Sequence, residues 1–290
     1  VKPEIAVITN ISEAHIKNFN TTKDIARAKA EIINNIQKGG KIILNKDEKF
    51  FNFFSKQAKK NNLEIISFSV SKKADIHLLN VKKNKKHFEL KIKINKNIFY
   101  FKTLSSTNNF INNTLACISI ITALNLDLKK IKKEFINFSI PSGRGDIKLV
   151  HKFKKKFKFV DESYNANPLS MRSAIKNMKH YKTKNNNKKL VFLGDMLELG
   201  KKSKKLHKNL SFIINRSDID QVFVYGKYIK ETFKHLSPSK KGKVFNNLNE
   251  AYKHLSNIIH NNDLLMVKGS NATGLNKFSQ NIKKDSISAL

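Results

Sequence analysis

Short apolar runs alternate with helical patterns in the second half of the chain, and this alternation limits the possible folds more than any other feature. Residues 190–193 and 264–267 are uninterrupted apolar runs, as expected for strands buried on both faces. Further strands are predicted near residues 147–150, 157–160 and 221–225, and helices near residues 169–180, 203–215, 228–236 and 248–259. The alternation predicts an α/β fold with a parallel, doubly wound sheet.

The first half shows similar alternation, followed by a change of period. A buried strand is predicted at residues 5–8, a helix at 23–36 and a second strand at 41–44. Between about residues 64 and 104 the period becomes two, which predicts strands at 65–68, 76–81, 88–94 and 98–101. The last three are expected to form an antiparallel meander that turns at residues 95–97. Helices are predicted at residues 50–54, 108–126 and 128–138.

Residues 140–145 contain a proline and two glycines, a cluster that predicts a domain boundary. A chain of 290 residues is long enough for two domains. We therefore assign residues 1–141 to the first domain and residues 142–290 to the second.

The formal net charge of +35 is the most unusual feature of the composition. A strongly basic protein is a candidate for binding nucleic acid or another polyanion. The lysines are nevertheless spread along the whole chain, and Asn, Ile and Phe are abundant while Trp is absent. This pattern is typical of an AT-rich coding bias at exposed positions. A solvated basic surface is therefore favoured over a polyanion site, and nucleic acid is not expected as a partner.

Cysteine content and hydropathy indicate a cytoplasmic protein. Cys117 is the one cysteine in the sequence, which argues against disulfides and suits a reducing compartment. No apolar run approaches the ~18 residues needed to span a bilayer, and the chain opens without a signal peptide. We therefore expect a cytoplasmic location without membrane insertion.

The turn at residues 161–168 combines two carboxylates, a hydroxyl, a phenol and two amides between a predicted strand and a predicted helix. Pro168 suits the first helical position and Asn167 can cap the helix, so a well-capped turn without further function is one interpretation. The other is a binding site, because ligands bind at the carboxyl ends of strands in open α/β sheets. Asp195, Lys268 and Ser270 follow other predicted strands and are expected at the same edge.

Several segments, taken in order, resemble the Mur ligase family. They are Lys2-Pro3-Glu4 through Thr9-Asn10-Ile11, Ala14-His15, Ile25 through Ile32, Asn113-Thr114-Leu115-Ala116, Gly143-Arg144-Gly145, Asp161 through Pro168, Leu193 through Gly200 with His207, and Val267 through Ser270. The segments from Ser163 to Pro168 and from Gly194 to Gly200 resemble the member that joins D-alanyl-D-alanine to UDP-N-acetylmuramoyl-tripeptide in peptidoglycan synthesis.

The resemblance implies a domain that binds the UDP end of the substrate, a central ATPase and a Rossmann-like third domain. Residues 1–141 would be the C-terminal part of the central ATP-binding domain, and residues 142–290 the third domain. The UDP-binding domain and the ATPase phosphate loop would then lie outside this chain, which we expect to be inactive alone. Two alternatives stay open: a sister ligase that adds a single amino acid, and a basic nucleic-acid-binding α/β protein.

The implied reaction is ATP-dependent formation of a peptide bond through an acyl phosphate, with Mg²⁺ and cationic side chains offsetting the crowded anions. His15 matches a metal-site histidine of the family, and Lys29 matches a lysine that is carbamylated in relatives and then helps to hold Mg²⁺. Asp195 would orient the attacking amine or steady its charge. A helix-capping role for His15 and a solvated helical position for Lys29 are the plainer alternatives.

The resemblance also implies nucleotide contacts. Asn113 matches an adenine-contacting residue, although Thr107-Asn108-Asn109-Phe110 replaces the family's usual Gly-x-His-Asn. Arg144 matches an arginine near the nucleotide. Asp161, Glu162 and Tyr164 belong to a turn that faces ATP in relatives, many of which have Asp at the Glu162 position. A helix-core Asn113 and a solvated hinge Arg144 are the alternatives.

The incoming dipeptide is expected at the remaining positions. Asn165 and Asn167 would shape its pocket, and Lys268 and Ser270 would hold its carboxylate. The family often has Arg after this serine, whereas this chain has Asn271, which removes one cation from the expected anion site. His207 is as consistent with a packed structural residue as with a functional one.

Overall fold

The computed structural model describes residues 2–12, 19, 21–138, 140–183, 187–284 and 286–289, the last four as backbone only. The chain divides into two compact units. The first is made of residues 2–11, 19 and 21–138, and the second consists mainly of the residues from 140 onward.

Within its described residues the first unit contains a sheet of six strands in the order β1-β2-β3-β4-β5-β6. The strands are β1 (Ile5–Ile8), β2 (Lys41–Asn45), β3 (Glu64–Ser69), β4 (Ile76–Lys83), β5 (Phe88–Ile94) and β6 (Asn97–Thr103). β1 to β4 pair in parallel, and β4, β5 and β6 pair antiparallel. The predicted meander is therefore confirmed, and Asn95, with φ of 53°, provides its left-handed turn residue.

The helices of the first unit are α1 (Thr22–Asn34), α2 (Phe51–Lys60), α3 (Asn108–Ala123) and α4 (Leu128–Ile131). Thr21 and Asp24 form a capping box at the start of α1, which satisfies backbone N–H groups that have no partner inside the helix. The predicted helix at residues 128–138 is a single α turn followed by a 3₁₀ segment, Lys132–Asn137. Phe135 in this segment is buried against Phe101, with the two rings edge to face.

The second unit contains a sheet whose described strands follow the order β11-β10-β9-β12-β8-β7-β13. The strands are β7 (Asp146–Lys152), β8 (Lys155–Glu162), β9 (Lys189–Gly194), β10 (Gln221–Tyr225), β11 (Lys241–Phe245), β12 (Leu264–Lys268) and β13 (Ser286–Ala289). β8 to β12 pair in parallel, as predicted. β7 instead runs antiparallel to β8, because the turn between them has only two residues, too few for the crossover that parallel strands need.

The helices of the second unit are α5 (Pro168–Asn177), α6 (Ser203–Asn215), α7 (Lys230–Lys234), α8 (Leu248–Ile258) and α9 (Leu275–Lys283). Leu190 and Phe192 of β9 pack with α8 and α9 in one buried cluster. Alternate residues of a strand face opposite sides of the sheet, so the buried Val191 and Leu193 supply the opposite face. In the described part of the chain, no helix is both long and apolar enough to cross a membrane.

Candidate functional site

The loops after β8, β9 and β12 open at one edge of the second sheet. Lys268 is in register with both Glu162 and Leu193, so the three parallel strands end at the same level. A cavity of about 270 Å³ lies there. Its lining consists of Tyr164, Asn165, Ala166, Asn167, Leu197, Glu198, Ser270, Asn271 and Ala272. The structure thus brings together the predicted positions Tyr164, Asn165, Asn167 and Ser270.

The turn after β8 is held in shape by its own side chains. Asp161 is buried, and its Oδ1 accepts hydrogen bonds from the backbone N–H of Ser163 (3.0 Å) and from the Ser163 hydroxyl (2.6 Å). Asn167 caps α5 by accepting from the Ser170 N–H at 2.9 Å, with Pro168 in the first helical turn. The predicted cap is confirmed. The rigid turn exposes the side chains of Tyr164 and Asn165.

Lys268 and Ser270 use their polar groups to support this turn. The Lys268 ammonium is 2% exposed and donates to Glu162 Oε2 at 3.2 Å and to the Asn165 carbonyl at 3.0 Å. The Ser270 hydroxyl donates to the Ala166 carbonyl at 3.2 Å and accepts from the Leu197 N–H at 3.0 Å. Both side chains therefore connect the walls of the cavity, and their predicted contact with a ligand carboxylate stays a prediction.

Asp195 lies directly after β9 and organises the loop after β10. Its carboxylate accepts three backbone N–H bonds, from Lys227 (2.8 Å), Tyr228 (2.9 Å) and Ile229 (2.7 Å). Gly226 has a φ of 139°, and a Cβ at that position would lie 2.6 Å from the Asp195 carboxylate. Asp195 is thus a buried acceptor for a neighbouring loop, and a role in orienting an amine stays a prediction.

His207 is fully buried on α6 and fixes the start of the loop after β9. Its Nε2 accepts from the Met196 N–H at 2.9 Å, so the other ring nitrogen, Nδ1, carries the proton and donates to the Ser203 carbonyl at 2.7 Å. Burial lowers the pKa of His207, while the Ser203 carbonyl and the Asp195 carboxylate oppose that shift. A neutral His207 is required to accept from Met196, which supports the structural interpretation.

Gly143, Arg144 and Gly145 are held against the turn after β8. The Tyr164 N–H donates to the Gly143 carbonyl at 3.0 Å, and the Gly145 N–H donates to the Asp161 carbonyl at 2.7 Å. Both glycines have left-handed φ values, 79° and 99°, and a Cβ on Gly143 would lie 3.0 Å from Tyr164. The guanidinium carbon of Arg144 lies 4.1 Å from the centroid of the Tyr164 ring. The segment therefore presents Arg144 and Tyr164 as a stacked, exposed pair.

Two of the residues predicted to bind nucleotide or metal, Asn113 and Lys29, belong to the first unit. Asn113 is exposed on α3, and the Lys29 ammonium donates to the Asn10 carbonyl at 3.0 Å. His15 lies outside the described residues. Among residues 2–12, 19, 21–138, 140–183 and 187–284, no three His, Cys, Asp or Glu side chains are placed to hold a metal ion. An unmodified lysine is a cationic donor, so the described residues do not present a magnesium site.

Three residues near this edge were not predicted. Glu198 lines the cavity with φ of 60°, and it lies inside the segment from Leu193 to Gly200, one of those that resemble the Mur ligase family. Tyr181 lies beside Glu162, and burial, with a smaller effect of that negative charge, raises its pKa to about 12. Lys283 contacts the Asp161 carboxylate from the end of α9, a helix that was not predicted. Neither Tyr181 nor Lys283 has a local sequence signal.

Comparison with protein-family models assigns both halves of the chain to one family. Residues 1–121 match the Mur ligase middle domain, and residues 147–271 match the Mur ligase, glutamate ligase domain.

Named relatives agree with these matches. The chain is 30% identical, over 96% of its length, to the UDP-N-acetylmuramoyl-tripeptide--D-alanyl-D-alanine ligase of Rickettsia prowazekii (strain Madrid E). It is 35% identical, over 98% of its length, to the ligase of that name from Buchnera aphidicola subsp. Baizongia pistaciae. It covers 60% of each of these relatives.

Solved structures share the fold. MurF from Acinetobacter baumannii matches with a TM-score of 0.84 at 22% identity, over 97% of this chain and 60% of that one. MurF ligase from Thermotoga maritima in complex with ADP matches with a TM-score of 0.80 at 20% identity, over 98% and 63%. At these identities the likeness establishes the fold alone.

Proposed function

Because this chain belongs to the Mur ligase family, with its middle and C-terminal domains in order, we propose that it is part of an ATP-dependent ligase that adds D-alanyl-D-alanine to UDP-N-acetylmuramoyl-tripeptide. The names of the relatives from Rickettsia and Buchnera support this substrate pair. The chain spans about three-fifths of the length of those relatives, so the complete reaction belongs to the proposal. The reaction contributes to peptidoglycan synthesis and would take place in the cytoplasm.

The cavity at the edge of the second sheet carries the proposal. Its walls come from the two segments that most resemble the dipeptide-adding member, residues 163–168 and 194–200, together with residues 270–272. At about 270 Å³ it lies just below the usual range of ligand pockets, roughly 300–1,000 Å³. That size suits a dipeptide better than a nucleotide sugar.

ATP would supply the γ-phosphoryl group that converts the carboxylate of the tripeptide substrate into an acyl phosphate. The dipeptide amine then attacks the acyl carbon, a C–N bond forms, the amine loses a proton, and phosphate leaves with the electrons of the broken C–O bond. The chain's contribution is to hold and orient the amine, because alignment of reacting groups supplies much of the rate in such steps.

Each wall residue has a proposed task. The amide groups of Asn165 and Asn167 would donate to the dipeptide, since their oxygens already accept from the N–H groups of Ala166 and Ser170. Lys268 and Ser270 would keep these two residues in place. In the second unit the proposed nucleotide contacts are Arg144, Asp161, Glu162 and Tyr164. In the first unit Asn113 keeps its own proposed role in binding adenine. Asp195 would act on the amine through the loop that it braces.

The test is calorimetric titration of the chain with D-alanyl-D-alanine, D-alanine and L-alanyl-L-alanine. We expect saturable binding of the first alone, and a loss of about tenfold or more in the Asn165→Ala variant, because a buried ligand group left without its hydrogen-bond partner costs about 1–3 kcal/mol. Asn257→Ala is the matched control, since Asn257 is exposed at the end of α8. Tighter binding of a single amino acid would favour a sister ligase, and no binding of any of the three would contradict the proposal.

A further inference from the structure

We propose that Lys283 is a positioning residue, whose ammonium group neutralises one buried and one partly buried carboxylate and thereby holds the stacked pair of Arg144 and Tyr164 in its ligand-facing arrangement. Lys283 is the last residue of α9 and lies beyond the segment that matches the C-terminal family model. The identity of the ligand that the pair serves rests on the proposed function. The positioning itself does not.

The Lys283 ammonium joins three parts of the second unit. It donates to the hydroxyl of Ser142 at 2.6 Å, contacts Asp146 Oδ2 at 3.5 Å and makes a short ion pair with Asp161 Oδ2. The lysine side chain is 9% exposed and the Asp161 side chain 2% exposed. The Lys283 ammonium at the end of α9 is therefore shared by the residues at the start of β7 and by those at the end of β8.

The two carboxylates hold the backbone next to Arg144 and next to Tyr164. Asp146 Oδ1 accepts from the Gly143 N–H at 2.8 Å, and Asp161 Oδ1 accepts from Ser163. Gly143 in turn accepts the Tyr164 N–H. Each carboxylate thus uses one oxygen for the backbone that carries Arg144 or Tyr164 and the other for Lys283. Movement of either carboxylate would displace one member of the stacked pair.

Charge explains why a cation is needed at this place. Two partly or fully buried carboxylates repel each other and lose hydration on folding, and both effects disfavour the ionised form. Burial raises the pKa of Asp146, the Asp161 charge adds to that rise, and the Gly143 N–H and the Lys283 ammonium oppose it. Without Lys283, one carboxyl group would have to bind a proton or turn toward water.

Other charged groups near the cluster are already paired. Glu162 follows Asp161 on β8 and binds the Lys268 ammonium from β12 at 3.2 Å. Arg144, in the segment before β7, is stacked on Tyr164. Lys284 follows Lys283 and is exposed. A pH effect that appears on removal of Lys283 can therefore be attributed to Asp146 and Asp161.

The test compares Lys283→Met with Lys283→Arg, Asp146→Asn, the double variant Lys283→Met/Asp146→Asn, and the neighbouring control Lys284→Met. Thermal midpoints are measured at pH 8 and pH 5.5. We expect Lys283→Met to lower the midpoint by roughly 6 °C or more at pH 8, since it leaves uncompensated buried charge. This fall in the midpoint should be smaller at pH 5.5. A carboxyl group whose folded pKa is raised binds a proton at that pH, and the variant then regains stability.

The second readout is the stacked pair itself, observed without ligand. Because the Arg144 guanidinium lies over the Tyr164 ring, its Nε–H NMR signal should be shifted by the ring, and Tyr164→Leu gives the unstacked reference. We expect the stacked signal in the unsubstituted chain, Lys283→Arg and Lys284→Met, loss of it in Lys283→Met, and partial recovery in the double variant. If Lys283→Met does not fold, the double variant decides: a folded, stacked double variant supports the proposal.

Three results would overturn the proposal: a stacked Arg144 signal in Lys283→Met, a loss of thermal midpoint in that variant that is the same at pH 8 and pH 5.5, or a double variant no more stable than Lys283→Met. ADP titration then distinguishes the positioning role of Lys283 from the proposed nucleotide role of the Arg144–Tyr164 pair. Weaker ADP binding in Lys283→Met, by about tenfold or more, is expected if the pair serves a nucleotide. If Lys283→Met binds ADP as tightly as the unsubstituted chain while the stacked signal is lost as described, the nucleotide role of the pair fails and the positioning role stands.

Discussion

Asp195→Asn tests whether Asp195 stabilises the loop after β10 or contacts the bound dipeptide directly. The carboxylate uses Oδ2 for the Lys227 N–H and Oδ1 for the N–H groups of Tyr228 and Ile229. An amide keeps one acceptor oxygen and turns an NH₂ group toward at least one of these donors. A hydrogen bond to a charged group is worth about 1.5–3 kcal/mol, so we expect the free energy of unfolding to fall by about that amount.

Urea unfolding followed by circular dichroism measures this loss, and titration with D-alanyl-D-alanine at low temperature measures binding by the molecules that stay folded. Because all three donors to Asp195 come from the chain itself, affinity in the folded variant should stay within about threefold of that of the unsubstituted chain. Glu231→Ala, which removes a partly exposed carboxylate beside the same loop and its surface ion pair with Lys234, should change the free energy of unfolding much less than Asp195→Asn does. Unchanged stability together with lost dipeptide binding would refute the bracing argument and favour direct contact with the amine.

Three further substitutions test particular contacts. Lys154→Gly should stabilise the chain by about 1 kcal/mol in urea unfolding, because Lys154 is an exposed residue with φ of 58° in the turn between β7 and β8, whereas Lys156→Gly in the adjoining strand should destabilise it. His207→Gln should flatten the pH dependence of stability. Because the pKa of His207 is lowered in the folded chain, the unfolded chain binds the proton more readily, and the unsubstituted chain should lose stability as the pH falls below about 6.5. An equal loss of stability in the variant would argue against this assignment. Gly226→Ala should cost about 2 kcal/mol or more, since its Cβ would press on the Asp195 carboxylate at a φ that alanine rarely adopts, and a neutral result would contradict the described loop.

Local sequence patterns predicted those elements whose buried residues form an apolar run or a regular apolar spacing. β9 and β12 are fully buried, and their apolar runs carry that information directly. β11 was missed because Lys241-Gly242-Lys243 lacks both an apolar run and a strict alternation, which is common on an edge strand. α9 was missed because it begins after Gly274, without the side-chain cap that announces α5.

The candidate site divides in the same way. The turn at residues 161–168 was predicted because its cap, its proline and its carboxylates are neighbours in sequence. The internal use of Lys268 and Ser270 could not be predicted, since their partners Asn165 and Ala166 lie 103 and 104 residues away. Lys283 lies 122 residues from Asp161, and only the completed sheet brings them together.

Hydrogen bonds and an ion pair between neighbouring loops fix the shape of the pocket. These contacts affect how the pocket could recognise a dipeptide. Ser270 links the loop after β9 to the turn after β8, while Lys268 and Glu162 neutralise each other. Three lining side chains are amides, and Glu198 adds a carboxylate.

A dipeptide at neutral pH carries an ammonium and a carboxylate at opposite ends. A lining of amide donors with one carboxylate can serve both ends, whereas a lining of lysines would repel the ammonium. The large positive charge of the chain therefore lies outside the chemistry of this pocket, and discrimination between dipeptide and single amino acid would depend on the distance between the Glu198 carboxylate and the Asn165 and Asn167 amides. Because that distance is set by the links through Ser270 and Lys268, substitutions at these buried residues should alter selectivity as well as stability.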